Sequence, residues 1–425
     1  MLEQGERHLA ARDAAGPSTR RVYADHAAST PVLPAAAAAV AEALLLPGNA
    51  SSAHAEGRAL RRVLEESREQ VAAALGAAPD EVVLTSGGTE ADNLAVAGLV
   101  RARQQEDPRR RRLLVSAVEH PAVLEPARRL AAEGEVELEL LPVDRRGRLD
   151  VAAVEASLDV HGDEVALVSV MWANNETGVL QPLDDVVAAC SARGVPVHSD
   201  AVQAPLTQPV DLASSGLAAV SVSGHKVGAP VGTGALLLRR GTRLRALATG
   251  GGHERGLRPG SSAVALARGL AVALEASVAS REEEAARLST LRAELVGGVR
   301  QAVPDAVLAG DDRPGASLPG TAMLLLPGCD GDALLYLMDA RGIAISTGSA
   351  CSAGATTGSH VLAAMGADPD DARGAMRVSL GRTSSRADVG ALVDALPGVV
   401  AAARRARAAS APAQALAVPS PVGAG

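Results

Sequence analysis

Short apolar runs alternate with helix-like stretches between about residues 60 and 240. These β-rich runs, several of them apolar throughout, lie at residues 82–85, 113–116, 136–141, 165–170, 195–199, 218–223 and 235–238. The stretches between most of them are rich in Ala, Leu, Glu and Arg, which favour helices. Alternation of strand and helix patterns predicts βα units and a mostly parallel sheet. A long helical stretch from about 262 to 303, followed by further short strands and helices, predicts a second domain.

Composition and charge exclude several classes of protein. The chain has 425 residues, a net charge of -8 and only 1% aromatic residues, so nucleic-acid binding through basic faces and stacked bases is disfavoured. Its longest apolar stretch, 35–46, contains Glu42 and is too short to span a bilayer. The three cysteines, Cys190, Cys329 and Cys351, form no disulfide framework and indicate a reducing cytoplasm. There is no metal-ligand cluster in the sequence, so we expect no intrinsic metal.

Lys226 and Asp200 each follow a strand-like run. A lysine in a buried site can form a Schiff base with an aldehyde cofactor, and an acid nearby suits the pyridinium nitrogen of pyridoxal phosphate. Taken singly, such residues are usually solvated loop residues. His120 and Asn175 follow two other apolar runs, and the carboxyl ends of strands are where open α/β sheets gather their ligands. The series therefore favours a cofactor site.

The turn 86–89 lies between a predicted strand and a predicted helix. Its glycines permit close backbone approach, and the N–H groups at the start of a helix attract phosphate. By itself this is more simply an ordinary tight turn. Together with Lys226 and Asp200, it indicates a site for the phosphate of the cofactor.

Two further side chains are candidates for chemistry. Cys351 lies in the small-residue segment 346–354, which predicts a mobile loop with an exposed thiol, although lone cysteines are usually small buried residues. Cys190 fits that buried alternative. Arg377 lies in a strand-like run that points its guanidinium inward or outward equally well, and Arg is well shaped to bind a carboxylate. Arg382 is expected to be a surface partner.

In this order, the motifs resemble the NifS- and IscS-type cysteine desulfurases, a group of the class-V aminotransferases within the fold-type I pyridoxal phosphate enzymes. The resemblance covers residues 22–400 and rests on motifs at 25–31, 85–90, 119–120, 174–178, 200–203, 223–226, 250–260 and 348–351. It implies a large domain, 35–261, with a mostly parallel seven-stranded sheet. A smaller α+β domain would comprise 22–34 and 262–403, and 1–21 and 404–425 are expected to be disordered.

The resemblance also assigns roles to individual residues. Lys226 would form the Schiff base, Asp200 would pair with the pyridine nitrogen, and His120 would stack on the ring and relay protons. The remaining cofactor contacts would come from Gln203 at the phenolic oxygen and from Gly88, Thr89, Ser223 and His225 at the phosphate. Asn175 and Arg377 would bind the substrate carboxylate. Ser261 would reach the phosphate in a partner subunit, which implies a homodimer.

The implied reaction converts L-cysteine to L-alanine, and the sulfur is carried as a persulfide on Cys351. A sulfur-acceptor protein of iron–sulfur cluster assembly or thiolation would then receive it. A selenocysteine lyase, an aminotransferase-like relative and a non-catalytic sulfur-relay scaffold are the alternatives. The sequence departs from the family pattern by lacking a Pro in 49–54 and by an altered 227–232, and neither change removes a catalytic group.

Overall fold

The computed structural model describes residues 21–348 and 358–410. The first part of the chain forms β1 (Val22–Tyr23), α1 (Pro34–Leu44), α2 (Ala55–Ala74), β2 (Val82–Thr85), α3 (Gly88–Glu106), β3 (Arg112–Ser116), α4 (Pro121–Ala132), β4 (Glu137–Leu141), α5 (Val151–His161), β5 (Val165–Ser169), α6 (Leu183–Ser191), β6 (Val197–Asp200), α7 (Leu212–Ser215), β7 (Ala219–Ser223) and β8 (Gly234–Leu238). It continues as α8 (Val264–Ala302), β9 (Val307–Ala309), β10 (Thr321–Leu325), α9 (Gly331–Asp339), β11 (Ile343–Ala344), α10 (His360–Ala364), α11 (Pro369–Ala372), β12 (Ala375–Ser379) and α12 (Arg386–Ser410).

A seven-stranded sheet forms the centre of the larger part of the fold. Its strand order is β2-β8-β7-β6-β5-β3-β4, and only β8 runs antiparallel to its neighbours. Strands β5, β6 and β7 are buried along their whole length because helices cover both faces of the sheet. The predicted α/β class and all seven predicted strands are confirmed.

The smaller part of the fold is built on two short sheets. Strands β9, β10 and β12 form an antiparallel sheet, and β1 pairs with β11. Helix α8 links this part to the central sheet, since Leu270 and Leu274 pack in the first core and Leu288 and Leu295 in the second. The division into domains at residue 262 therefore stays a prediction, because one helix contributes to both cores.

Helix α12 corrects one prediction from the sequence. Residues 404–410 were expected to be disordered, but they continue this helix. Arg404 donates from Nε to the carbonyl oxygen of Pro327 at 2.9 Å, and Arg407 donates to that of Cys329 at 3.0 Å. The Ala- and Arg-rich composition that resembled a tail is also typical of a stable helix. The predictions for residues 1–20, for Cys351 and for 411–425 lie outside the described residues.

Within the two described stretches, none of the helices is long and apolar enough to cross a membrane.

Candidate active site

A cavity of about 260 Å³ lies where the carboxyl ends of the central strands meet the start of α3 and strand β12. Ten of the residues selected from the sequence line it. They are Gly88, Thr89, His120, Asn175, Asp200, Gln203, Ser223, His225, Lys226 and Arg377. Residues that are up to 289 positions apart in the chain thus share one site. The carboxyl ends of the parallel strands lie at one edge of the central sheet, and strand β12 of the smaller part of the fold brings Arg377 to that edge.

Lys226 ends the short 3-10 turn that follows β7. Its Nζ donates hydrogen bonds to the carbonyl oxygens of Ala27 and Ala28, at 2.6 and 2.8 Å. Gln203 donates from Nε2 to the same Ala27 oxygen at 3.0 Å. The turn is so tight that a Cβ at Gly224 would lie 2.0 Å from Oγ1 of Thr233. The segment after β1 therefore holds the lysine ammonium at the cavity wall.

Asp200 is the last residue of β6, and its Oδ1 accepts a hydrogen bond from the backbone N–H of Val202 at 2.8 Å. Burial raises the pKa of Asp200 to about 6, although this hydrogen bond and the charge of Lys226 act in the opposite direction. Asp200 is consequently ionised at neutral pH, at a cost in stability. A buried carboxylate of this kind can pair with a cationic ring nitrogen.

Two further buried acids belong to this region: Asp92 was missed in the sequence, and Glu119 was quoted only as part of a motif. Asp92 of α3 lines the cavity and is 1% exposed, and Glu119 accepts a hydrogen bond from the backbone N–H of Met171. Burial, together with the charge of Asp200, raises the pKa of both carboxyls well above the usual range. At both carboxyls, burial therefore favours the neutral form. The available signal for Asp92 was its place among apolar residues of a helix face that is buried.

His198 lies in the sheet behind these acids. Its Nδ1 is 2.9 Å from Oγ of Ser169 and its Nε2 is 3.0 Å from Oγ of Ser221. Burial lowers the pKa of this imidazole to about 3, so it is neutral. The nearest carboxyl oxygen is Oδ1 of Asp92, at 3.7 Å. His198 thus lies in the sheet next to one of the cavity acids and carries no charge of its own.

His120 caps the N-terminus of α4. Its Nδ1 accepts a hydrogen bond from the backbone N–H of Ala122 at 3.1 Å, so the ring proton lies on Nε2. Burial, and then the charges of Lys226 and His360, lower the pKa of His120 to about 4. The imidazole is therefore neutral near physiological pH, and it carries a donor N–H at Nε2.

The end of the cavity at α3 carries small and polar groups. Gly88 begins the helix so close to Val202 that a Cβ on this glycine would lie 2.7 Å from Cγ2 of that residue. Across from it, Nδ1 of His225 is 3.3 Å from Oγ of Ser29. Burial, and then Lys226, lower the pKa of His225 to about 4. This end therefore offers backbone N–H groups and neutral side chains, a combination that suits an anion.

Arg377 points inward from β12 and is 3% exposed, which settles the direction that the sequence left open. Its Nη2 donates to Oδ1 of Asp25 at 2.8 Å, and its Nη1 donates to the carbonyl oxygen of Asn175 at 2.9 Å. These contacts hold the guanidinium at the cavity wall, next to Asn175. Asp25, the partner that fixes this position, was quoted only as part of a motif.

The other selected residues lie elsewhere. Ser261 is exposed and does not line the cavity of its own chain. Cys190 is buried, and burial raises the pKa of its thiol to about 12, which agrees with the inert role expected for it. Cys329 is buried as well. Arg382 is half-buried and donates to Oγ of Ser277 and Ser280, so the prediction of a surface partner is wrong.

Comparisons with known proteins identify the family of the chain. The family model described as "Aminotransferase class-V" matches residues 22–392. The chain is 50% identical over 389 residues to the "IscS-like cysteine desulfurase" of Mycobacterium tuberculosis (strain ATCC 25618 / H37Rv), covering 92% of this chain and 98% of the relative. It is 40% identical to "Cysteine desulfurase NifS" of Azotobacter vinelandii, covering 84% of this chain and 87% of the relative.

Solved structures share the backbone fold of the chain. A "NIFS-LIKE PROTEIN" superposes with a TM-score of 0.81 at 32% identity, covering 90% of this chain and 100% of that one. A structure described as "SspA in complex with cysteine" has a TM-score of 0.73 at 30% identity, with coverage of 85% and 99%. We conclude that the chain belongs to the aminotransferase class-V family, in the group of NifS- and IscS-like cysteine desulfurases.

Proposed function

We propose that the chain is a pyridoxal phosphate-dependent enzyme that removes sulfur from L-cysteine, releases L-alanine and passes the sulfur to Cys351. The observation that carries this proposal is the single cavity in which Lys226, Asp200, His120 and Arg377 meet. An amine, an ionised acid, a neutral imidazole and a guanidinium are the groups that an amino-acid-converting site requires.

The residues of the cavity fit the cofactor. Lys226 would hold its aldehyde carbon, Asp200 its ring nitrogen and Gln203 its phenolic oxygen, with His120 against the ring. Its phosphate would be held at the N-terminus of α3 by Gly88, Thr89, Ser223 and His225. The fit rests on the donor set, because this end of the cavity combines helix N–H groups with neutral side chains. When bound, pyridoxal phosphate supplies the electron sink that makes the Cα proton of an amino acid acidic.

The substrate is positioned by Arg377, whose guanidinium can bind a carboxylate with two hydrogen bonds. Asp25 and the backbone of Asn175 hold the guanidinium in place. The amino group of Lys226 takes up the Cα proton, and His120 moves a proton at Nε2, since its Nδ1 is occupied by the backbone of α4.

Sulfur transfer requires a thiolate. The sulfur of Cys351 attacks the sulfur of the substrate, a new S–S bond forms and the C–S bond breaks. The electron pair of that bond stays with the carbon, which is protonated to give L-alanine, and the persulfide stays on Cys351. The thiol must be ionised for this step, since a free cysteine has a pKa of about 8.5 and the thiolate is the nucleophile.

We further propose a homodimer in the cytoplasm, in which Ser261 contributes a hydroxyl to the phosphate of the partner subunit, and a protein acceptor for the persulfide sulfur. The exposed position of Ser261, away from the cavity of its own chain, supports the first part. The buried free thiols of Cys190 and Cys329 suit a reducing compartment.

The test is to record the visible spectrum of the purified chain, then add L-cysteine with a reductant and quantify alanine and sulfide. We expect a yellow protein that produces the two in equal amounts. Lys226→Ala should lose the spectrum of the linked cofactor. Cys351→Ser should keep the spectrum and lose sulfide production, whereas Cys190→Ala, which removes a buried thiol outside the cavity, should keep both.

Two results would contradict the proposal. A folded chain that is colourless after incubation with pyridoxal phosphate and removal of the unbound compound would refute the cofactor and favour a non-catalytic scaffold. Full sulfide production by Cys351→Ser would refute the assigned sulfur carrier. If the chain released selenium from selenocysteine in preference to sulfur from cysteine, the proposed substrate would change to selenocysteine, and the assignment of the site residues would stand.

A further inference from the structure

Glu90 lies two residues after the glycine that begins α3, so its carboxylate belongs to the first turn of the helix whose N-terminus is the proposed phosphate site. A negative charge there is favoured by the helix dipole, and it competes with a phosphate for the same N-terminus. Burial would raise the pKa of Glu90, but hydrogen bonds from Arg258 and Ser86 outweigh it, and the pKa is lowered. Glu90 is therefore ionised next to the place where a dianion is expected.

Arg258 is the group that offsets this charge. Its Nε donates to Oε1 of Glu90 at 2.9 Å, and about a third of each side chain is exposed. The other carboxylate oxygen, Oε2, accepts from the backbone N–H of Ser86 at 2.6 Å. Glu90 is thus turned back toward the turn that precedes the helix. The arrangement neutralises its charge and satisfies one N–H group outside the helix.

The loop that carries Arg258 is fixed by a buried ion pair. Glu254 binds Arg68 of α2 through two hydrogen bonds of 2.7 and 2.9 Å, and the side chains are only 4% and 7% exposed. Oε2 of Glu254 also accepts from the backbone N–H of Leu84 in β2, at 2.9 Å. The loop is therefore attached to the strand that leads directly into the phosphate turn.

The backbone of this loop is strained. Glu254 and Arg255 have φ values of 47° and 57°, in the left-handed region that side chains other than glycine rarely adopt. Arg255 donates from Nη2 to the carbonyl oxygen of Val82 at 2.9 Å, which adds a second attachment to β2. Strain of this kind persists only where surrounding contacts determine the conformation, and it is often found at functional sites.

We propose that Arg258 is a positioning residue for the cofactor phosphate: held in place by the Arg68–Glu254 pair, it neutralises Glu90 and turns it toward Ser86, so that the N-terminus of α3 is available to the phosphate. This inference rests on the proposed function, since it assumes that pyridoxal phosphate occupies the cavity. The phosphate is the only part of the ligand on which it bears.

The experiment compares two ligands on the full-length apoprotein: pyridoxal phosphate and pyridoxal, which lacks the phosphate. In Arg258→Met we expect the Kd of pyridoxal phosphate to rise about tenfold, because a partly buried charge near a helix N-terminus has effects of this size. The Kd of pyridoxal should change less than about twofold. A general loss of structure would weaken both ligands equally.

A second variant tests the role of charge. Glu90→Gln in the Arg258→Met background removes the uncompensated carboxylate, so we expect it to restore most of the affinity for pyridoxal phosphate. The matched control is Arg240→Met, which breaks an arginine–carboxylate pair with Asp80 before β2, at the other end of that strand from the phosphate turn. This control should leave both Kd values unchanged. The molar mass of each variant in solution is measured as well, so that a change in oligomeric state is detected.

The outcomes separate the inference from the proposed function. An unchanged Kd in Arg258→Met, an equal loss for both ligands, or no recovery in the double variant would each overturn the inference alone. Failure of the unsubstituted chain to bind pyridoxal phosphate would overturn the proposed function and this inference together.

Discussion

Replacing Asp200 by Asn should stabilise the apoprotein at neutral pH, although it removes a group that we assign to the cofactor. An aspartyl carboxyl has an ordinary pKa of 3.8, and burial raises that of Asp200 to about 6. Each pH unit corresponds to about 1.4 kcal/mol, so the ionised form costs the folded state roughly 3 kcal/mol above pH 6. Asn has the same shape and keeps an oxygen to accept from Val202 N–H.

The sign of the pH dependence follows from the raised pKa. Between pH 3.8 and 6 the folded state binds more protons at Asp200 than the unfolded state does, so the stability of the chain falls as the pH rises through this window. The gain from Asp200→Asn should therefore be about 3 kcal/mol at pH 8, about half of that at pH 5, and close to zero below pH 4.

Urea unfolding of the apoprotein at pH 5 and pH 8 measures this gain. The control is Glu125→Gln, which removes an exposed carboxyl paired with Arg128 and should change the free energy of unfolding by less than about 0.5 kcal/mol. A variant Asp200→Asn that is no more stable than the unsubstituted chain at pH 8, or that gains equally at both pH values, would contradict the raised pKa of Asp200. With cofactor added, the same variant should bind it more weakly.

Three other predictions follow from the contacts of buried groups. Arg377→Met should raise the KM for L-cysteine at least about thirtyfold, because it removes a buried guanidinium worth roughly 2 kcal/mol or more to a bound carboxylate; steady-state kinetics test this, and an unchanged KM would contradict it. Arg68→Met should lower the free energy of unfolding by about 3–5 kcal/mol, since it leaves the carboxylate of Glu254 buried without its partner. Arg386→Met, at an exposed ion pair, should cost less than about 1 kcal/mol, and equal losses would refute the distinction. His120, with a pKa of about 4, should show no titration between pH 5.5 and 8 in an NMR experiment on the apoprotein, and a midpoint near 6.5 would contradict its burial.

Much of the central architecture was predictable from the sequence because its signals are local. Most strands of the seven-stranded sheet are short apolar runs, and most lie between turn and helix signals. Lys226, Asp200 and His120 could be grouped without a structure, since parallel strands present their carboxyl ends at one edge. Their positions after strand-like runs were sufficient to predict that these three residues share one cavity, and all three line it.

Helical propensity explains why one prediction from the sequence, the disordered tail that was expected to begin at residue 404, was wrong. The segment 404–410 looked like a low-complexity tail, and its contacts to Pro327 and Cys329 are what distinguish it from one. Composition is similar for a solvated Ala- and Arg-rich tail and for an exposed helix. The carbonyl oxygens that accept hydrogen bonds from Arg404 and Arg407 lie 77 and 78 positions earlier in the chain.

The fold class, the strand series and the residue types of the site were predictable from the amino-acid sequence, because hydrophobic periodicity and short motifs are properties of neighbouring residues. Only the tertiary structure decided that Arg377 points inward, that Asp92 is buried in the cavity wall, and that Glu254 binds Arg68 from 186 positions away. The physical reason is that burial and charge pairing depend on which distant segments pack together. These long-range contacts set the ionisation of each acid and base in the site, and so decide which of its carboxyls is charged.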